Sequence, residues 1–249
     1  MTVKTKIAYA HSTWNPVTGC SAVSEGCRHC YAERMAKRLH GMGVAKYRNS
    51  FEVTLHPDQI KEPLRWRKPH LVFTASMSDL FHEKVPLKFI RSIFETMQQA
   101  DQHIFQLLTK RSKRLAKFAP KLPWPSNVWA GVTVENARFR DRIDDLRQVD
   151  AAVRWLSMEP LLGPVETLDL DGIDWVVVGG ESGPGARPME EKWVLDIQKQ
   201  CRAQGSAFFF KQWGGFNRRK TGRLLRGRLY SEMPELPDPD RQLSLASLL

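Results

Sequence analysis

Short apolar runs recur along the chain, separated by stretches long enough for a helix. Each run is rich in β-branched and aromatic residues at consecutive positions, which is typical of strands buried on both faces of a parallel sheet. The pattern predicts seven strands: Ile7–Ala10, Leu71–Ala75, Ile104–Leu108, Val128–Val134, Val153–Leu156, Trp175–Val178 and Ala207–Phe210.

Helical periodicity fills two of the intervals between these runs. Leu87–Ala100 has an apolar face and follows Pro86, and Glu190–Ala203 has the same pattern and is followed by Gly205. Alternating strands and helices indicate an α/β fold, which we expect to be a partial (β/α) TIM-type barrel with mostly parallel strands. The interval from Gly163 to Gly172 is too short for a full helix, so one crossover should be reduced.

Polar or charged residues follow each of the last six predicted strands. Because the carboxyl ends of parallel strands meet at one edge of a sheet, these residues predict a polar mouth above an apolar barrel. Glu135, Glu159 and Glu181 are candidate hydrogen-bond acceptors or general acid–base groups there, and Lys211 joins them as a catalytic candidate. The other groups at this edge are Ser76, Ser78, Asp79, Lys110, Arg111 and Gln212.

Three of the four cysteines lie within eleven residues of one another, after the first predicted strand. Cys20, Cys27 and Cys30 have the spacing C-x6-C-x2-C, and thiolates are soft metal ligands. Three thiolates favour an iron–sulfur cluster with one iron left open to a small molecule. The fourth cysteine, Cys201, falls on the apolar face of its predicted helix and should be a buried thiol.

Zinc is the alternative metal at this loop. A structural zinc site takes four ligands, so it would have to recruit a histidine beside the three thiolates. The candidates are His29, His11 and His40. The spacing alone leaves three possibilities open: an iron–sulfur cluster, zinc, and cysteines that are near one another by coincidence and bind no metal.

The chain of 249 residues carries 38 Lys and Arg against 27 Asp and Glu, a formal net charge of +11. This charge fits either a nucleic-acid partner or a solvated basic surface. Six of the basic residues lie in 217–228, which could contact phosphates.

We divide the chain into a barrel (1–214), whose three-cysteine cluster loop spans 14–31, and a basic C-terminal appendage (215–249). With no membrane-length apolar run and no signal pattern, we expect a cytoplasmic protein without a membrane segment.

A three-cysteine loop after the first strand of a βα barrel resembles the radical S-adenosylmethionine (SAM) superfamily. The usual spacing there is C-x3-C-x2-C with a flat residue before the last cysteine; here the first gap is six residues and His29 holds that place. The chain is more closely similar to a phage-associated three-Cys-motif family of unknown function. The stretches that carry this resemblance are WNPVTGC (14–20), CRHCYAERMAKR (27–38), SMSDLFH (76–82), LLTKR (107–111), MEPLLGP (158–164), GGESGPGARPM (179–189) and FFFKQWG (208–214).

The resemblance implies a [4Fe–4S] cluster held by the three cysteines, and SAM as cosubstrate. Reductive cleavage of SAM would generate a 5′-deoxyadenosyl radical that abstracts hydrogen from a substrate. The residues expected to contact the cofactors are His29, Ser76, Ser78, Asp79, Lys110 and Glu135. Asp79 could instead cap the next helix. Spore photoproduct lyase, a radical SAM enzyme acting on DNA, is the functional analogy, which implies a nucleic acid or nucleotide substrate.

Two other functions compete with this one. The first is a non-catalytic, zinc-stapled phage accessory protein that binds nucleic acid. The second is a metal-assisted hydrolase built on Glu135, Glu159 and Glu181. The family resemblance also leaves room for a dedicated protein partner.

Overall fold

The computed structural model describes residues 5–235, except for the side chains of residues 218 and 219. The strands are β1 (Ser12–Trp14), β2 (Val17–Thr18), β3 (Thr54–Leu55), β4 (Leu71–Thr74), β5 (Ile104–Thr109), β6 (Val128–Thr133), β7 (Val153–Met158), β8 (Trp175–Gly179) and β9 (Ala207–Gln212). The helices are α1 (Tyr31–Gly41), α2 (Leu87–Gln99), α3 (Ser112–Phe118), α4 (Asp141–Arg147), α5 (Glu191–Gln204) and α6 (Arg218–Thr221).

Seven of the strands form one parallel sheet in the order β1-β4-β5-β6-β7-β8-β9, which curls into a half-barrel. Strands β2 and β3 form a separate antiparallel pair. The predicted partial barrel with parallel strands is therefore confirmed. Its two edges, β1 and β9, are not paired with each other.

Six of the seven predicted strands are confirmed, and the first is wrong. The chain pairs with β4 through Ser12–Trp14 rather than through Ile7–Ala10. The ring of Tyr9 is buried among aromatic side chains of the sheet, and its carbonyl accepts a hydrogen bond from the side chain of Gln106. The apolar character of the run therefore reflects burial in the core and not a place in the sheet.

The two faces of the sheet have different cores. Helices α2 to α5 cover one face, where Ile90, Phe94 and Ile197 contact alternate strand residues. Among residues 5–235, no helix contributes to the core of the concave face, which is lined by aromatic rings. Tyr9 and Trp175 have ring centroids 5.3 Å apart, and further rings surround them.

The two predicted helices are confirmed as α2 and α5, and Gly205, with a φ of 80°, ends the second of them. Gly163–Gly172 contains no helix, so the reduced crossover is also confirmed. Cys201 is fully buried in α5, and burial raises the pKa of its thiol to about 12. The helices α1, α3, α4 and α6 were not predicted.

The chain after β9 runs back along that edge strand. Tyr230 O accepts a hydrogen bond from Phe210 N at 3.0 Å, and Glu232 N donates to Phe208 O at 3.3 Å. The indole of Trp175 donates to Glu232 O at 2.8 Å. Residues 230–232 thus lie along the free side of β9, while residues 236–249 of the expected appendage lie outside the described residues. The division into barrel and appendage stays a prediction.

Among residues 5–235, no helix combines the length and the apolar character needed to cross a bilayer.

Candidate active site

The three cysteines lie on the loop that joins β2 to α1, at the carboxyl edge of the sheet. We call residues 20–30 the cysteine loop. It follows Gly19, whose φ of 82° and close approach to the Glu52 carbonyl exclude a side chain. It ends at Cys30, the residue that precedes α1. Cys20, Cys27 and Cys30 are all free thiols of intermediate exposure.

Arg111, just after β5, fastens the first part of the cysteine loop. Its Nη1 donates to Cys20 Sγ at 3.4 Å, and its Nη2 donates to Ser21 O at 3.1 Å. The same guanidinium binds Asp79 at 3.2 Å and Glu83 at 3.1 Å. Burial raises the pKa of the Cys20 thiol to about 11 with help from Asp79, while the Arg111 contact works in the opposite direction.

Glu135, two residues after β6, fastens the middle of the loop. Its carboxylate is fully buried and binds Arg142 Nη1 at 2.8 Å and Lys110 Nζ at 3.6 Å. The Ser24 hydroxyl donates to Glu135 Oε1. The backbone of Gly26 lies against the same carboxylate, so that a Cβ there would stand 2.6 Å from Oε1.

Glu181, two residues after β8, holds the last part of the cysteine loop in place. Its Oε2 lies 3.1 Å from Nδ1 of His29, and the guanidinium of Arg187 donates to both of its oxygens at 2.6 and 2.9 Å. Burial alone would raise the pKa of Glu181, but the bonds from Arg187 and His29 lower it to about 2. Arg187 Nη2 also donates to Glu25 O at 3.0 Å. The cysteine loop is therefore held at the ends of β5, β6 and β8.

Glu159 and Lys211 form a separate cluster on the concave side of the sheet. Lys211 Nζ lies 2.5 Å from Glu159 Oε2, and the Tyr9 hydroxyl donates to Oε1 at 3.0 Å. The Ser157 hydroxyl donates to the same oxygen at 3.2 Å. Burial, and then the neighbouring Glu159, raise the pKa of Tyr9 well above its usual value. Sequence reasoning missed Tyr9, because nothing in an apolar run marks the one hydroxyl that reaches a carboxylate.

The polar residues after β4 are already hydrogen-bonded within the protein. Ser76 Oγ donates to Asn15 Oδ1 at 3.1 Å, and Ser78 Oγ donates to Val17 O at 2.9 Å. Asp79 accepts from Phe81 N, Thr109 Oγ1 and Lys110 N besides Arg111. Helix α2 begins after Pro86, so the alternative in which Asp79 caps the next helix is wrong. Direct cofactor contacts of these residues stay a prediction.

Of the three histidines proposed for zinc, only His29 lies in the cysteine loop. His11 accepts from Leu71 N at 3.1 Å, at the amino edge of the sheet and away from the thiols. The ring of His40 lies 3.1 Å from the carbonyl of Tyr47 near the end of α1. His29 is turned towards Glu181, with its Nδ1 3.1 Å from Oε2 of that carboxylate.

Within residues 5–235, no three or more Cys, His, Asp or Glu side chains stand together as a formed metal site. Glu135, Glu159 and Glu181 each have a cationic partner of their own, which is unlike a shared metal site. The cysteine loop has the better donor set: three free thiols, with contacts from Arg111 to Cys20 and from Ser24 to Cys27 at 3.4 and 3.8 Å. Soft thiolate donors of this kind fit an iron–sulfur cluster.

A cavity of about 400 Å³ opens beside Cys20. Its walls include Ser21, His82 and Lys84, together with residues 49–53. Ser21 Oγ lies 2.8 Å from His82 Nε2 across this wall. The volume is within the range of small-molecule sites, and the Cys20 sulfur lies on its surface.

Comparison with known proteins assigns the chain to a family and to a fold. The model of a family described as "Protein of unknown function (DUF5131)" matches residues 4–234. No curated protein matches the chain. Among solved structures, a tyrosine-to-phenylalanine mutant of spore photoproduct lyase is similar, with a TM-score of 0.56, 10% identity, and coverage of 86% of this chain and 79% of that one.

A second spore photoproduct lyase structure, a double mutant with bound AdoMet and dinucleoside spore photoproduct, has a TM-score of 0.50 and 12% identity. The match covers 82% of this chain and 64% of that one. At such identities the similarity describes the fold: this half-barrel resembles that of a radical SAM enzyme.

Proposed function

Since the chain belongs to the DUF5131 family, whose function is unknown, we propose its activity from the site: it is a radical-SAM-type iron–sulfur enzyme acting on nucleic acid or a nucleotide. The observation that carries the proposal is the attachment of the cysteine loop to three strand ends. Arg111, Glu135 and Glu181 hold it at the carboxyl edge of the half-barrel, where chemistry gathers in (β/α) folds.

Cys20, Cys27 and Cys30 would hold a [4Fe–4S] cluster, leaving one iron open to SAM. When bound, such a cluster would supply the electron for reductive cleavage of SAM, the chemistry that leads to hydrogen abstraction from a substrate. Lys110, with a side chain 20% exposed and 3.6 Å from Glu135, is suited to bind a carboxylate or phosphate. His29 would lie beside the cluster, and its bond to Glu181 fixes the orientation of its ring.

The concave face would exclude water from the reacting atoms. Aromatic rings, including those of Trp155 and Trp175, fill the part of this face nearer the amino edge of the sheet. Smaller residues such as Ser157 and Gly179 lie nearer the carboxyl edge. The Lys211–Glu159 pair lies there with side-chain exposures of 17% and 13%. We assign Lys211 to bind a substrate anion and Glu159 to hold or accept a proton.

A nucleic-acid substrate is supported by charge and by the related fold. The formal net charge of +11 favours association with a polyanion. One solved structure of spore photoproduct lyase, a protein of similar fold, contains a dinucleoside spore photoproduct. A nucleoside unit at the carboxyl edge of this sheet would meet Lys110 and Lys211.

The test is the iron content and visible spectrum of anaerobically purified protein. We expect about four iron atoms per chain in the wild type, as a [4Fe–4S] cluster requires, and their loss in Cys20→Ala, Cys27→Ala and Cys30→Ala. Cys201→Ala is the matched control, because this thiol is buried in α5 away from the loop, and it should keep its iron. Reduced wild-type protein should then convert SAM to 5′-deoxyadenosine.

Two results would contradict the proposal. The first is iron content unaffected by the loop variants. The second is colourless protein with one zinc per chain and no SAM cleavage. The second result would instead favour the zinc-stapled binding protein.

A further inference from the structure

Two exposed aromatic side chains lie next to the candidate active site. Phe216 is 80% exposed and Tyr31 is 62% exposed, although both are large apolar rings. Tyr31 directly follows Cys30, at the start of α1. Phe216 directly follows Gly215, in the segment after β9. We call this pair the aromatic rim.

The backbone fixes Phe216 beside the mouth of the half-barrel. Gly215 N donates to Glu181 O at 2.7 Å, and Gly183 N donates to Gly215 O at 3.0 Å. Gly214 and Gly215 have φ values of 83° and 84°, and a Cβ at Gly214 would collide with the carbonyl of Glu181. Glu181 in turn holds His29 of the cysteine loop. Phe216 is therefore one residue from a backbone pairing that belongs to the site.

The segment that follows Phe216 is basic, and only part of its charge is used for folding. Arg223 is half-buried, with its guanidinium 4.7 Å from the centre of the Phe209 ring and bonded to Ser231 Oγ. Arg226 pairs with Glu191 at 2.9 Å. Lys220 and Arg228 are exposed. The segment that begins at Phe216 thus presents both an exposed ring and exposed cations to solvent.

Exposed rings next to cations match the chemistry of single-stranded nucleic acid. Every base has a face that stacks on an aromatic side chain, and lysine or arginine contacts the adjoining phosphates. A base in a duplex has its faces covered by its neighbours, so it cannot use such rings without leaving the stack.

We propose that the aromatic rim binds unstacked bases of single-stranded nucleic acid, with Lys220 and Arg228 contacting the backbone, and so presents a base to the mouth. This inference rests on the proposed nucleic-acid substrate and specifies its form. It assigns Phe216 and Tyr31 a role in binding. Both rings are exposed, so they are not needed to fill the core of the folded protein.

The test is fluorescence anisotropy with fluorescein-labelled 12-nucleotide oligo(dT) and oligo(U). We expect Phe216→Ala and Tyr31→Ala to bind roughly 5- to 100-fold more weakly, the loss for one stacking aromatic, with an unchanged salt dependence. Phe216→Trp should restore binding. Lys220→Ala should instead make the slope of log affinity against log salt about 0.7 shallower, the value for one phosphate contact on a single strand.

Leu229→Ala is the matched control, because Leu229 is 60% exposed in the same segment but is not part of the aromatic rim. The proposal is overturned if Phe216→Ala binds both oligonucleotides like the wild type. It is also overturned if Leu229→Ala loses as much affinity for the oligonucleotides as Phe216→Ala does.

Iron content and SAM cleavage separate this inference from the proposed function. If the wild type holds iron and cleaves SAM but binds neither oligonucleotide, the aromatic rim is wrong and the iron–sulfur assignment stands. If oligonucleotide binding depends on Phe216 but no iron is found, the enzyme assignment fails and the rim stands. Phe216→Ala should retain the wild-type iron content, because Phe216 is 80% exposed and lies outside the cysteine loop.

Discussion

The carboxylate of Glu135 lies directly against the backbone of Gly26, leaving no room for a side chain at that position of the cysteine loop. Glu135 cannot move aside easily, because Arg142 holds it at 2.8 Å in a fully buried environment. The contact joins the end of β6 to the turn before Cys27, and so brings together two residues that are 109 positions apart in the chain.

Gly26→Ala should loosen the cysteine loop without removing a thiol. The added Cβ would stand 2.6 Å from Glu135 Oε1, so the loop or the carboxylate must shift, at a cost of about 1–3 kcal/mol. We expect lower iron retention and a lower free energy of unfolding, measured by iron analysis and urea denaturation. Gly41→Ala is the control: a Cβ there meets nothing within 4 Å, and neither quantity should fall. Equal behaviour of the two variants would contradict this account of the loop.

Asp79 and Glu83 bind the same guanidinium of Arg111 but should differ in their contribution to stability. Asp79 has a side-chain exposure of 8% and Glu83 one of 64%. Removing the charge of the buried partner in Asp79→Asn should cost about 3–5 kcal/mol of unfolding free energy. Glu83→Gln should cost less than about 1 kcal/mol, since water screens an exposed pair. Urea denaturation of both variants measures the difference. Equal losses of unfolding free energy would show that burial does not determine how much each ion pair stabilises the protein.

Glu181 should make stability depend on acid pH. Its pKa is lowered to about 2 by Arg187 and His29, so the folded protein keeps this carboxylate ionised where the unfolded chain takes up a proton. The stabilisation is present above the unfolded pKa of about 4.3 and is lost as the pH falls towards 2. The stability difference between wild type and Glu181→Gln should therefore shrink over this window. A difference that stays constant between pH 6 and about 2.5 would refute the pairing.

Tyr9 should make stability depend on alkaline pH. Because burial and Glu159 raise its pKa well above 10, the unfolded chain loses the phenolic proton more readily than the folded protein does. Stability is therefore complete below about pH 10 and falls as the pH rises. Tyrosinate absorbance should show one of the four tyrosines titrating only with unfolding, and Tyr9→Phe should remove that step. Complete titration in the folded wild type would be evidence against the buried phenol.

The local pattern of apolar and polar residues was enough to predict most strands of the sheet and two of the helices. Runs such as Val128–Val134 and Val153–Leu156 are mostly apolar at consecutive positions because both faces of the sheet are covered, which is typical of strands in a parallel sheet. The same signal misplaced the first strand. Ser12–Trp14 is too short to leave a pattern, and Ile7–Ala10 is apolar because Tyr9 packs on the concave face.

The sequence by itself determined the α/β architecture, the cysteine spacing and the polar residues at the strand ends, since burial and backbone preference act over a few neighbouring residues. Only the tertiary structure decided which of those polar groups meet. The contacts of Arg111 with Cys20, Glu135 with Ser24 and Glu181 with His29 join residues 91, 111 and 152 positions apart. Such pairs depend on how the sheet curls and where its loops cross, and no local periodicity encodes them.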